Sequence, residues 1–218
     1  MTYKNIVFDY DGTLADTSDL IVTSVQEAFE AQNFDLPTAE NIKQYIGEPI
    51  TEFFPKLAPR ELTELELTTM TNSYRKAYKH DESPETIKLF PGIADLLTEL
   101  VAQDYKLFML TSKNSDVARR NADVLGITDK FTKIVGSDMV AKPKPDPAGL
   151  LKIMHDNDLV PAETLMVGDA TFDIDMAFAA RVRSVGVTWG TQDIRTLEEA
   201  KPTYIANDIN ELADNIFA

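Results

Sequence analysis

The chain has 218 residues, 44% of them hydrophobic, enough to bury a core in one domain or two small ones. Its net charge of −15, from 21 basic and 36 acidic residues, argues against nucleic acid and anionic membranes as partners, because the longest basic cluster is only Lys142-Pro143-Lys144. With no cysteine and only His80 and His155, neither a disulfide framework, a thiolate metal site nor a histidine-rich metal site is expected.

The run Ile6-Val7-Phe8 is short, apolar and β-prone, as in a strand buried on both faces. It leads into Asp9-Tyr10-Asp11-Gly12-Thr13. Side chains at i and i+2 of a strand share a face, so Asp9 and Asp11 are expected to point together, and a cation or proton between them would relieve their repulsion. The segment is not an EF-hand loop, because glycine falls at its fourth position rather than its sixth.

A long stretch without strands follows. Ile21, Val25, Ala28 and Phe29 predict a helix over 18–31, with Thr17 or Ser18 as its cap. A second helix restarts at Pro37-Thr38, carries Ile42, Tyr45 and Ile46 on one side, and is broken by Gly47-Glu48-Pro49. A long, charge-laced helix is predicted over 59–79, with Pro59 in its first turn and Leu62, Leu65, Met70, Tyr74 and Tyr78 on its buried side.

From about residue 84 helices and strands alternate. Helices are predicted at 92–103, 115–125 (ended by Gly126), 147–156, 173–180 and 209–216. Strands are predicted at 106–110, 133–135, 164–167, 184–187 and near 203–206. Alternation of this kind predicts βαβ units and a parallel sheet. The expected fold class is therefore α/β: a Rossmann-like parallel sheet core, from residues 1–15 and 88–218, interrupted by an inserted helical cap domain at 16–87.

Four polar clusters stand at predicted strand ends: Asp9–Thr13, Thr111-Ser112-Lys113-Asn114, Lys142-Pro143-Lys144-Pro145-Asp146-Pro147 and Gly168-Asp169-Ala170-Thr171-Phe172-Asp173. The carboxyl ends of parallel strands lie on one edge of a sheet, so the four are expected to converge. Each has a plainer structural account. Asp-Gly is a common turn, Thr111-Ser112 could cap the next helix, and Asp146 with Pro147 makes a good helix start. That last account leaves Lys142 unexplained.

Together the clusters resemble the motifs of the haloacid dehalogenase superfamily: Asp9-x-Asp11-Gly12-Thr13, Thr111 after an apolar strand, Lys142 in a Lys-Pro-x-Pro setting, and Gly168-Asp169-x-x-x-Asp173. The similarity covers nearly the whole chain, and the helical insert resembles that family's cap. Val187-Thr188-Trp189-Gly190 is similar to its phosphoglycolate phosphatase branch, with Trp189 expected to anchor a loop. Two departures are Arg181, where the pattern has glycine, and Tyr10, where leucine is frequent; the Tyr10 ring is expected to pack in the core.

The resemblance implies a Mg2+-dependent phosphatase acting on a small phosphorylated metabolite. Asp9 is the expected nucleophile and forms an aspartyl-phosphate. Asp11 is the expected acid and base, and Asp11 at that position favours phosphoryl transfer over dehalogenation. Thr111 and Lys142 join the catalytic set, with Lys142 neutralising phosphate charge and restraining Asp9. Phosphate or substrate contacts are expected from Gly12, Thr111, Ser112, Lys113, Lys142 and the cap loop at Gly47. Metal contacts are expected from Asp9, Asp11 (through its backbone carbonyl), Asp169 and Asp173. Competing readings are a hexose-phosphate mutase, an inorganic pyrophosphatase of the same family, and a regulatory binding protein on the same fold. A monomer or homodimer is expected. A cytoplasmic location is expected too, because Met1-Thr2-Tyr3-Lys4 lacks a leader pattern and no apolar run nears the ~20 residues of a membrane span.

Overall fold

A computed structural model describes residues 3–218; Met1 and Thr2, included in the expected core segment and in the run read for a leader, lie outside the described residues. Strand β1 (Asn5–Phe8) is wholly buried, as its unbroken apolar character requires. Strand β2 (Ala15–Asp16) leads to four helices: α1 (Ser18–Glu30), α2 (Ala39–Lys43), α3 (Ile50–Leu57) and α4 (Glu64–Asp81). Strand β3 (Lys88–Leu89) then pairs antiparallel with β2, Ala15 opposite Leu89. The two chain segments flanking the helices thus form one short ribbon that the sequence did not signal.

The alternating part follows as α5 (Ile93–Ala102), β4 (Lys106–Leu110), α6 (Ser115–Val124), β5 (Lys133–Val135), α7 (Ala148–Asp156), β6 (Thr164–Gly168), α8 (Thr171–Ala179), β7 (Arg183–Val187), α9 (Ile194–Glu199), β8 (Tyr204–Ala206) and α10 (Ile209–Phe217). The six longer-range strands form one parallel sheet in the order β5-β4-β1-β6-β7-β8. Strand order reverses around β1, so its carboxyl end opens where such sheets bind ligands. Alternate residues of β1 feed opposite faces. Ile6 and Phe8 pack with Leu107, Met109, Leu165 and Val167, whereas Val7 packs with Phe108, Leu110, Met166 and the buried sides of α7 and α8. Each large apolar side chain so buried contributes about 1.5–3 kcal/mol.

The apolar side chains of the helical segment join the same core cluster as Ile6 and Phe8. Phe29, Phe54 and Tyr74 sit in a chain of rings 6.1 Å apart at each step, and Tyr78 continues it at 5.8 Å from Tyr74. Here the structure departs from the periodicity reading. Helix α4 begins at Glu64 rather than 59, because Thr63 and Glu66 form a capping box that fixes the start there. Leu65 is 76% exposed, since the helix start rotates it off the buried face. Helix α3 was not expected: it carries Pro55 in its interior yet buries Phe53 and Phe54. Helix α9 also went unread; its length of six residues gives little periodic signal.

Other local expectations resolve by who accepts which N–H. Asn114, not Thr111 or Ser112, caps α6 by accepting from the Asp116 N–H. Pro147 takes the cap position of α7, with Asp146 accepting from the Ala148 N–H at 2.9 Å. Thr17 stands at the cap of α1 but makes no capping bond; its hydroxyl donates to Asp11 instead. Arg181 has φ of 59°, the left-handed backbone that explains why glycine suits that position. Tyr10 is fully buried, and Trp189 fixes a loop by donating from Nε1 to the Thr13 carbonyl at 3.1 Å.

Candidate active site

Asp9 stands one residue beyond β1, and its N–H donates to the Val167 carbonyl of β6 at 2.9 Å. Asp169 follows β6, and Asp173 lies in the first turn of α8. Thr111 follows β4, its N–H pinned to the Val135 carbonyl of β5 at 3.0 Å. The parallel register therefore brings residues far apart in sequence to one sheet edge, as expected.

Asp9, Asp169 and Asp173 offer carboxylate oxygens within 4.8 Å of one another, and all three are buried. One ammonium answers them. Lys144 Nζ lies 2.8 Å from Asp9 Oδ1 and 2.6 Å from Asp173 Oδ1, with its side chain only 5% exposed. The expectation for Lys142 is thereby corrected. Its side chain is 71% exposed and its ammonium lies 3.5 Å from Asp146, four residues along the chain. Two lysines spaced by one proline in Lys142-Pro143-Lys144-Pro145 project differently, and only the second turns inward.

Asp169 is held by three donors: Thr13 Oγ1 at 2.9 Å on Oδ1, and the Thr191 N–H and hydroxyl, each at 2.8 Å, on Oδ2. Asp173 Oδ2 accepts from the Ala170 N–H at 3.3 Å. Burial dominates the proton affinities. It pushes Asp9 up to about 7, against the pull of Lys144 and with a further push from Asp173. It raises Asp169 to about 6, helped by the Asp9 charge and opposed by the Thr191 and Thr13 bonds. Asp173 is raised by burial as well, with Lys144 opposing. For Lys144 burial acts the other way, but Asp173 and Asp9 outweigh it and hold the ammonium above its ordinary range. Three carboxylates against one ammonium leave a buried negative excess made of hard oxygen donors. That donor set fits a divalent cation of the Mg2+ kind.

Asp11 does not share this cluster. The strand ends at Phe8, and the chain then turns sharply at Gly12, whose φ is +79°, so the i, i+2 rule of an extended strand no longer applies. Asp11 Oδ1 accepts instead from Lys113 Nζ at 2.5 Å and from the Thr17 hydroxyl. Lys113 lies between the Tyr78 and Tyr10 rings, 4.9 and 5.6 Å from their centroids. Its ammonium is engaged by Asp11 rather than open to a phosphate. Gly12 also differs from its expected part as a phosphate donor, because its N–H donates to the Ala15 carbonyl at 3.0 Å. Its contribution is conformational: any β-carbon there would run into the Asp169 carboxylate.

Asp9, Asp11, Thr111, Ser112, Lys113 and Gly47 all line a cavity of about 660 Å³ between the sheet edge and the helical segment. Thr111 Oγ1 accepts from the Lys113 N–H at 3.2 Å, which leaves its own proton for another acceptor. Ser112 Oγ is buried without a partner. Gly47, at φ +106°, brings the turn between α2 and α3 against Ala170 and Phe172; a β-carbon there would meet them at 3.7 and 3.8 Å. In the sequence Lys144 and Thr13 read as motif members and Thr17 as a cap, none with a site role, and Thr191 is not singled out. Lys144 was visible as the lysine nearer Asp146-Pro147, but nothing local distinguished it from Lys142.

The comparisons with known proteins follow the same lines. The profile of the haloacid dehalogenase-like hydrolases matches residues 6–187. A Dickeya dadantii protein described as "Probable phosphatase IndB" is 32% identical over 208 residues, 95% of this chain and 90% of that protein. Pyrophosphatase PpaX of Oceanobacillus iheyensis is 30% identical over 212 residues, 97% of this chain and 96% of that protein. Among solved structures, a predicted phosphoglycolate phosphatase from Haemophilus somnus superposes with a TM-score of 0.91 at 25% identity, covering 99% of this chain and 98% of that one.

Proposed function

Because this chain belongs to the haloacid dehalogenase-like hydrolase family, we propose that it is a Mg2+-dependent phosphatase that hydrolyses small phosphate monoesters through an aspartyl-phosphate on Asp9. The observation that carries the reading is the pairing of Asp9. Lys144 holds one carboxylate oxygen at 2.8 Å, while the residue itself lines a cavity that also contains Asp11 and Thr111.

In the first displacement a carboxylate oxygen of Asp9 attacks phosphorus, and the bond from phosphorus to the leaving oxygen breaks. Asp11 gives its proton to the departing alkoxide. Water then attacks the phosphorus, Asp11 takes the water's proton, and the bond to Asp9 breaks to release inorganic phosphate. Lys144, Thr111 and Ser112 face the charge that gathers on the phosphoryl oxygens. For Asp11 to serve, it must leave the bond to Lys113, and the arriving anion gives Lys113 a second partner. Asp9, Asp169, Asp173 and the Asp11 carbonyl would hold Mg2+; when bound, the ion lowers the repulsion between a negative nucleophile and a negative phosphate. The helical segment at 16–87 is read as a lid that excludes water over the cavity. No helix among the described residues is long and apolar enough to cross a membrane.

The test is release of inorganic phosphate from a panel of phosphoglycolate, sugar phosphates, nucleotides and pyrophosphate, with Mg2+ and with chelator. Asp9→Asn should abolish release while leaving the fold intact. Isomer formation without phosphate release would favour the mutase reading, and wild-type turnover by Asp9→Asn would end the proposed mechanism.

A further inference from the structure

The catalytic carboxylates occupy one end of the cavity, but 660 Å³ is far more room than a phosphoryl group fills. Four cations line the walls: Arg75 and Lys79 on α4, and Lys113 and Arg120 on the sheet side. Two are already matched. Lys113 is bound to Asp11 at 2.5 Å, and Arg120 to Glu82 at 3.1 Å. Arg75 and Lys79 have no ion pair among the described residues. They stand one turn apart on the same face of α4, where like charges repel by a few tenths of a kcal/mol. In a chain of net charge −15, two cations that line one cavity without an ion-pair partner among the described residues are a place for an added anion.

None of the acidic residues lining the cavity pairs with them. Asp9 and Asp11 are held by Lys144 and Lys113, Glu48 is held by Lys56 at 2.5 Å, and Asp116, exposed on α6, makes no ion pair with either cation. Asp138, across the cavity, accepts from the Ser115 N–H at 2.6 Å and its hydroxyl at 2.7 Å. Burial works to raise the Asp138 carboxyl, but the Ser115 bonds and, last, the Arg75 charge keep it below its ordinary range. The cavity lining also includes Ile50 and Thr51, the first turn of α3, which has no side-chain cap.

We propose that Arg75 and Lys79 form a second anion-binding subsite, so that the preferred substrate is a phosphate monoester whose leaving group carries its own negative group, a carboxylate or a second phosphoryl. The assignment rests on the phosphatase reading for its substrate, but the subsite itself can be measured without turnover. It makes Arg75 and Lys79 specificity-determining residues rather than catalytic ones.

The experiment compares kcat/KM on two matched pairs: phosphoglycolate against 2-hydroxyethyl phosphate, and propane-1,3-diol bisphosphate against 3-hydroxypropyl phosphate. Wild type should prefer the more anionic member by tenfold or more, and the stronger preference of the two names the carboxylate or the phosphoryl as the natural group. In Arg75→Gln/Lys79→Gln the ratio should fall towards one. Lys76→Gln, an exposed lysine of the same helix that does not line the cavity, should keep it. Alongside, calorimetric titration with 3-phosphonopropionate, which cannot be hydrolysed, should show at least tenfold weaker binding in the double variant. An unchanged ratio and unchanged titration overturn the subsite and leave the phosphatase reading standing. If wild type hydrolyses none of the four compounds, the titration alone upholds or overturns the subsite, and the wider phosphate-release panel decides the phosphatase reading.

Discussion

Lys144→Gln separates the inward lysine from its exposed neighbour. Among the described residues, the substitution removes the one ammonium bonded to Asp9 and Asp173, which are 3% and 0% exposed. Breaking one partner of a buried pair costs about 3–5 kcal/mol. The loss should be smaller at pH 5, because Asp9, raised to about 7 by burial, is then protonated in the folded wild type and gains less from Lys144. For a chain of this length about 4 kcal/mol lowers Tm by roughly 8–16 °C. Lys142→Gln touches only an exposed pair with Asp146 and should shift Tm by no more than about 2 °C. Thermal melts in chelator at pH 7 and pH 5 measure both, and phosphate release should fall by more than about a hundredfold for Lys144→Gln while Lys142→Gln stays within about twofold. Equal melts for the two variants, or a larger loss for Lys142→Gln, would refute the reasoning.

Further outcomes concern the same cluster. With the metal removed by chelator, stability should fall as pH rises from 5 to 8. Asp9 and Asp169, raised to about 7 and about 6, bind protons in the folded state that the unfolded chain has already lost at those pH values. The slope is about 1.4 kcal/mol per pH unit for each such proton, and Lys144, raised above its ordinary range, stays charged throughout and adds none. Added Mg2+ should reverse the fall; a flat or rising curve in urea melts without metal would contradict the buried-carboxylate account. Gly12→Ala should destabilise by about 2 kcal/mol or more and suppress phosphate release, because it combines φ of +79° with a collision against Asp169; melts and release assays check it together.

The alternation of strand and helix after residue 84 was legible because each strand is a short apolar run with a clear stop. Strands β4 and β5 fall where periodicity placed them, at 106–110 and 133–135. The helical segment was less legible: Pro55 masks α3, and α4 starts at a side-chain cap rather than at a hydrophobic period. Periodicity reports which face is buried, but it says little about starts and stops set by individual hydrogen bonds.

By itself the sequence determined the chemistry available: which acidic, basic and hydroxyl groups stand at strand ends, and that parallel strands would present those ends on one edge. Tertiary structure decided which of them meet. It chose Lys144 over Lys142 as the partner of Asp9, and it sent Asp11 to Lys113 rather than to Asp9. Those choices turn on where a side chain points after a turn, and direction in space is fixed by packing against residues a hundred or more positions away, which no local pattern records.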